Sequence, residues 1–280
     1  MTVINTNTGS IYAQQALIAN SRGLDRTMNQ LSTGKRINNS VDDVAGMAIA
    51  TRLSAQIRGL NQAVRNANDG ISIIQTAEGA TEQVTNMLQR MRELAVQASN
   101  DTYNTDDRTF LNMEFQALNS QIDTIAANTQ WNAADLLNGP VRDTGTGIFS
   151  FQVGANAAQT ISITFPNMKT SGSGLLASVA PTAITNTSAA NSALGTISSA
   201  LDRVNLERAK MGAIISRLQF TADNLFSVSA KASESRSRIE DTDYAVATTD
   251  LARRNIIQQA AQSMLAQANQ APQLVLQLLK

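Results

Sequence analysis

A heptad repeat constrains this chain more than any other feature of its sequence. Leu53, Ile57, Leu60, Val64, Ala67, Ile71 and Ile74 follow one another at intervals of 4-3-4-3-4-3. The series resumes as Ala77, Thr81, Val84, Leu88, Met91 and Ala95. Alternating steps of this kind lay apolar side chains along one seam of a helix, the pattern of a coiled coil. The step from Ile74 to Ala77 is 3 where 4 is due, a stammer that overwinds the supercoil locally. Upstream, Ser40 with Asp43 three residues later reads as an N-cap, and Asp42 and Asp43 suit the positive end of a helix. The spacing predicts a single helix from near Val41 to near Ala98, about 55 residues and about 80 Å long.

Two more seams follow. Leu111, Phe115, Leu118, Ile122 and Ile125 repeat 4-3-4-3 after the polar stretch Ser99 to Thr105. Leu194, Ile197, Leu201, Val204, Arg208, Met211, Ile215, Leu218, Ala222, Leu225, Ser229 and Ala232 alternate 3 and 4 throughout. Polar seam residues such as Arg208 and Ser229 set register at some cost in stability. Seams of this length stay dry only against one another, so the expected fold is mainly α, an elongated rod bundle of about three long heptad helices.

Between the second and third seams the period changes from helical to two. Phe149, Phe151 and Val153 alternate with polar residues, as do Ile161, Ile163 and Phe165, so a β-hairpin is expected over residues 148–165. Residues 167–190 are mostly Ser, Thr, Gly and Ala and read as a short loop. The two ends carry amphipathic helices of their own. Leu17, Leu24 and Leu31 recur every seven residues, with Met28 alongside and Thr33-Gly34 as the stop. Ile257, Ala261, Met264 and Ala268 repeat 4-3-4 before the apolar tail Leu274, Val275, Leu278 and Leu279, and Pro272 should break or kink that helix. Alone, neither end buries enough surface to offset its ordering entropy, so each is expected to stay disordered until it meets the other or another copy.

Composition removes most chemistry. The 280 residues include no His and no Cys, which excludes an imidazole base, a thiolate nucleophile and the usual zinc ligands. Twenty-two basic residues balance 22 acidic ones, so neither a nucleic-acid nor an anionic-membrane partner is expected. No apolar run approaches the span of a bilayer, and the first residues lack the basic and apolar segments of a signal peptide. Aromatic residues, at 4%, are too few for a large compact core. Glu240-Asp241-Thr242-Asp243 lacks the Gly and Glu of a calcium loop and reads as a helix-start charge cluster. An enzyme is not expected, and neither is a cofactor.

Long strings at both ends carry a family resemblance. They include Leu31-Ser32-Thr33-Gly34-Lys35-Arg36-Ile37-Asn38, Asp42-Asp43-Val44-Ala45-Gly46-Met47-Ala48 and Arg65-Asn66-Ala67-Asn68-Asp69-Gly70-Ile71. They continue in Leu88-Gln89-Arg90-Met91-Arg92-Glu93-Leu94-Ala95, Ser235-Arg236-Ser237-Arg238-Ile239-Glu240-Asp241 and Leu265-Ala266-Gln267-Ala268-Asn269-Gln270-Ala271-Pro272. In these the chain resembles bacterial flagellin, the subunit of the flagellar filament, in a short form lacking large outer domains. The resemblance implies that residues 1–40 and 240–280 pair as a coiled coil lining an inner tube. It also implies a rod built from 41–166 and 191–239, with 167–190 standing where larger relatives insert variable outer domains. The implied partners are other copies of the chain, hook–filament junction and cap proteins, and an export chaperone that binds the C-terminal region. Secretion through the flagellum's own export apparatus is implied too.

Assembly would then rest on Leu17, Leu24, Leu31, Ile257, Met264, Leu274 and Leu278, and the rod on the seam residues above, Leu53, Leu111 and Leu225 among them. Gln89, Arg90, Leu94 and Glu114 look like the patch gripped by the vertebrate Toll-like receptor for flagellin. The first reading of the same residues is structural, Leu94 as ordinary rod packing and Arg90 and Glu114 as contacts between subunits. A hook–filament junction protein and a non-flagellar coiled-coil scaffold are the alternatives, and filament growth from purified monomer separates them.

Overall fold

The computed structural model describes residues 6–139 and 148–278, with side chains described as far as Gln270. The described chain is mainly helical: α1 (Thr8–Thr33), α2 (Val44–Ala98), α3 (Thr105–Asn128), α4 (Thr187–Glu240) and α5 (Tyr244–Leu278). Two antiparallel pairs lie between α3 and α4, the short β1 (Gln130–Trp131) with β2 (Ala134–Asp135), and β3 (Ile148–Gln152) with β4 (Thr160–Thr164). Among the described residues no helix is long and apolar enough to cross a membrane. The chain divides into two compact units, Met1–Ile57 with Ala230–Lys280, and Arg58–Ser229.

In the Arg58–Ser229 unit one core gathers residues from α2, α3, α4 and the β3–β4 hairpin. From α2 it takes Ile74, Ala77, Val84, Leu88 and Met91, continuous across the stammer. From α3 it takes Phe115 and Ile122, and from α4 Ile197, Val204, Met211 and Leu218. Ile71, Leu111, Leu118 and Leu201 are half-buried at its edge. A smaller cluster joins Leu60 and Ala63 of α2 to Leu225 of α4, with Val64 beside it. In the other unit Ile57 is buried and Leu53 half-buried.

Residues 167–186 form no regular element, yet Met168, Leu176, Val179 and Ile184 are buried in the same core. Each such side chain contributes about 1.5–3 kcal/mol relative to exposure. Side chains on α3 hold the backbone of this segment. Asn112 accepts from the Ile184 amide (3.1 Å), Gln116 donates to the Thr182 carbonyl (2.8 Å), and Asp123 accepts from the Thr170 amide (2.6 Å). Of the stretch read as a loop, residues 167–186 are therefore a packed strap along α3, and Thr187 to Ala190 already belong to α4.

The corner between α2 and α3 is closed by one arginine. Arg108 donates from Nε to the carbonyl of Ala98, the last residue of α2, at 3.0 Å, and its Nη2 reaches the Asn100 carbonyl and the Thr187 hydroxyl. A cation on the unsatisfied carbonyls of a helix end is favourable. Asn104 and Asp107 form a reciprocal capping box at the start of α3.

The β3–β4 hairpin lies on a nearly bare track of α2. A Cβ on Gly70 would stand 3.0 Å from the Phe151 ring, and one on Gly59 would stand 3.1 Å from the Ala155 side chain. Between them Asn66 donates from Nδ2 to the Gln152 carbonyl at 3.0 Å. Phe149 and Phe165 meet edge to face, with ring centroids 5.3 Å apart.

At two helix positions the structure differs from the expectation or narrows it. The cap of α2 is Asp43, whose Oδ1 accepts from the Gly46 amide at 2.8 Å and whose carbonyl accepts from Met47. Ser40 lies in a turn because Asp42 folds residues 38–42 back on themselves, accepting from the amides of Asn38 and Asn39. Of the two outcomes expected at Pro272, a break or a kink, the break does not occur: α5 runs on to Leu278, since a proline removes one donor while the turns on either side keep theirs.

Candidate functional site

The terminal helices meet. α1 and α5 pair antiparallel, with partners that run down α5 as they run up α1. Asn7 Nδ2 donates to the Ala268 carbonyl (2.7 Å), Asn20 Nδ2 to the Arg254 carbonyl (2.9 Å), and the Thr27 hydroxyl lies 3.2 Å from Asp250 Oδ2. Each helix that lacked a partner in its own sequence neighbourhood finds it at the other end of the chain.

On α1 the inward seam is Ser10, Ala13, Leu17, Asn20, Leu24, Thr27 and Leu31, with the three leucines half-buried and Ser10, Asn20 and Thr27 buried. Leucines alternate here with small or polar residues, so the apolar stripe is discontinuous. On α5 the inward residues are Ala247, Leu251, Arg254, Gln258, Ala261, Leu265 and Ala268. Ile257 and Met264 do not join this seam. They are 41% and 60% exposed and lie on the outer face of the pair with Ile256. Ile11, Ile18 and Met28 of α1 are exposed as well. The pair thus buries one face and leaves large apolar side chains on others. The side chains of Leu274 and Leu278 lie outside the described residues.

At the base of the pair the two chain segments cross. Gly34, with φ +72°, ends α1 in the left-handed conformation that favours glycine. Beyond it Lys35 bridges Asp241: Arg36 donates its amide to the Glu240 carbonyl (2.6 Å) and Thr242 donates to the Gly34 carbonyl (3.0 Å). Lys35 Nζ sits 2.6 Å from Glu240 Oε1, and Arg36 Nη2 donates to the Ile239 carbonyl. Asp243 starts α5, its Oδ1 accepting from the Ala245 amide. The acidic cluster Glu240–Asp243 therefore serves as one half of a clamp and one helix cap.

Asp42 ties the next turn to α1 through Arg26 Nε at 2.8 Å. The Asn39 amide chiefly, with Asn38 and Arg26 adding, holds the Asp42 carboxyl below its ordinary value of 3.8 against the opposing effect of burial. A depressed carboxylate pKa contributes stability that is present above the unfolded value and is lost as pH falls through the folded one. Asp42→Asn should therefore flatten the acid-side fall in melting temperature between roughly pH 5 and pH 2. An unchanged acid limb in thermal melts would contradict this assignment.

In the Arg58–Ser229 unit, Arg90 joins two helices. Its Nε donates to Glu114 Oε1 on α3 at 2.9 Å, and its Nη1 to Glu93 at 3.0 Å. Gln89 is exposed beside it. Leu94 is only 1% exposed and belongs to the core, so Gln89, Arg90 and Glu114 form the surface of that patch without it. A shallow groove next to it is lined by Gln89, Arg92, Val96 and Leu201.

Sequence periodicity misses two features of these surfaces. The inward register of α5 carries Arg and Gln, which a search for apolar steps passes over. The clamp carries no period at all, and its only sequence signal is Gly34 opposite an acidic run.

A mainly helical, heptad-packed chain whose first and last helices pair with each other is the class these features define. A model of the bacterial flagellin N-terminal helical region matches residues 4–141, and one of the bacterial flagellin C-terminal helical region matches residues 194–279. The chain is 44% identical to a flagellin of Halalkalibacterium halodurans over 278 residues, 99% of this chain and 100% of that one. It is 40% identical to a flagellin of Bacillus subtilis over 303 residues, 99% of each. The crystal structure of Bacillus cereus flagellin superposes with a TM-score of 0.51 at 27% identity, covering 57% of this chain and 88% of that one. The chain belongs to the bacterial flagellin family.

Proposed function

We propose that this chain is a structural subunit that polymerises into the bacterial flagellar filament and is exported to assemble outside the cell. The observation that carries the reading is the terminal pair, which satisfies itself along one face and leaves Ile11, Ile18, Ile256, Ile257 and Met264 uncovered on others. A contact between unlike surfaces of identical subunits that does not close into a ring extends without limit, which is what a filament requires. Full-length relationship to flagellins supports the same reading. Residues 1–40 and 240–280 would line the inner tube, and residues 41–166 with 191–239 would form the surrounding layer. Junction and cap proteins and an export chaperone for the C-terminal region are the further partners. The Gln89, Arg90 and Glu114 patch is assigned first to contact between subunits.

Purified monomer mixed with short filament fragments should yield long filaments visible by electron microscopy. Monomer that joins the fragments without extending them would point to a junction protein. Monomer that never joins them would point to a coiled-coil scaffold outside the flagellum.

A further inference from the structure

Two helices of the Arg58–Ser229 unit carry a second seam, which points away from the core. On α3 it is Asp106, Phe110, Met113, Ala117 and Ser120, spaced 4-3-4-3 and exposed throughout, with Phe110 at 69% and Met113 at 65%. On α4 it is Leu206, Lys210, Ala213, Arg217 and Phe220, with the same spacing, and it too is exposed throughout. Leu206 is 57% and Phe220 75% exposed. Large apolar side chains gathered on an exposed face mark a surface that meets another protein. We propose that, within the filament, the outward seam of α3 in one copy of the chain seats against the outward seam of α4 in the next. This contact rests on the filament reading above, and because it joins unlike surfaces it repeats from copy to copy.

Charge decides between like and unlike pairing. The exposed side of α3 is acidic: Asp106 has no ion pair among the described residues, and the Glu114 side chain is 45% exposed beside Met113. The one base of this helix, Arg108, is engaged at the corner between α2 and α3. The seam of α4 carries Lys210 and Arg217. Glu207, one turn before Lys210, is already tied to it at 2.7 Å, and Arg217 has no ion pair among the described residues. Pairing α3 with α3 would set acid on acid, and pairing α4 with α4 would set base on base. Only α3 against α4 sets acid on base. Shape points the same way. Lys210, Ala213 and Arg217 line a groove together with Ser162, Thr164 and Pro166 of the hairpin side. It runs along α4 from Glu207 to Arg217, about 15 Å, the length of α3 from Phe110 to Ser120. The small Ala213 at its middle leaves room for a side chain as large as Phe110 or Met113. The two seams cannot serve each other within one chain, because each helix turns its opposite face into the common core. Phe115 and Ile122 do so on α3, and Val204, Met211 and Leu218 on α4.

The chain contains no Cys, so introduced thiols report the contact without interference. A chain carrying Met113→Cys is mixed with an equal amount of one carrying Leu206→Cys, Ala213→Cys or Phe220→Cys, positions one heptad apart along the α4 seam. Each mixture is grown on filament fragments and then oxidised. At least one mixture should give disulfide-linked mixed dimers, about tenfold or more above the same chains oxidised while dilute and unassembled. Each chain grown alone should give none. Filaments without mixed dimers in all three mixtures would overturn the proposal, open the groove to a different partner and leave the filament reading standing. So would equal yields from assembled and unassembled chains, or dimers from any one chain grown alone. Ala213→Trp makes the test without thiols. Overfilling the groove should slow growth on fragments by about tenfold while the melting temperature of the monomer stays unchanged. Growth of Ala213→Trp at the ordinary rate would overturn the proposal, and this comparison decides the matter if a cysteine chain fails to extend. Failure of the unchanged chain to extend fragments would bring down the filament reading, and this contact with it.

Discussion

A chain lacking Ala266–Lys280 should remain folded through Arg58–Ser229 and should fail to extend filament fragments. The deleted residues include Ala268, whose carbonyl accepts from the Asn7 side chain and whose Cβ lies against Gly9 of α1. Removing them leaves the first turns of α1 without a partner, and a helix end with neither packing nor length to sustain it frays. No residue of the Arg58–Ser229 unit is touched, so its cooperative unfolding should be retained. The measurements are urea unfolding followed by circular dichroism, for the body, and electron microscopy after seeding, for assembly. Filaments of normal length from the truncated chain would show that the end of α5 is dispensable to polymerisation.

Phe115→Ala should destabilise the Arg58–Ser229 unit by about 3–5 kcal/mol, the range for emptying a fully buried aromatic position. Phe115 is 0% exposed on α3 and joins the common core that takes side chains from α2, α4 and the 167–186 strap. Three sources of packing meet in that core, and none is free to collapse into the space, because each is held by its own ladder or side-chain bonds. Whole domains are stable by only about 5–15 kcal/mol, so the loss is a large share of the total. It should be read from denaturant midpoints at an unchanged slope. A loss below about 1 kcal/mol would mean that the site repacks and that the strap is looser than its hydrogen bonds indicate.

The long helices were legible because a heptad is a local signal that repeats. Residues 53–95 and 194–232 each state the same period many times, and one stammer or one Arg208 does not obscure it. The hairpin was legible from two short alternating runs. The inward face of α5 was not, because reading apolar residues alone favours Ile257 and Met264, while the partner helix carries Asn20, Gly23 and Thr27 and takes Arg254 and Gln258 in return. The strap was hidden for another reason. Met168, Leu176, Val179 and Ile184 follow neither helical nor strand spacing, and what places them is hydrogen bonding to α3, a long-range fact. The β1–β2 turn, with Asn132 and Ala133 at positive φ, is too short to leave a period.

The seating of the hairpin on Gly59 and Gly70 has a mechanical side. Ordinary packing interposes rotatable side chains between two backbones, and those can turn to absorb a small shift. Here Phe151 and Ala155 rest almost directly on the helix, and Asn66 is tied to a hairpin carbonyl between them. A slight change in the winding or bend of α2 would therefore pass to the hairpin undamped, with the two glycines acting as the points of transmission.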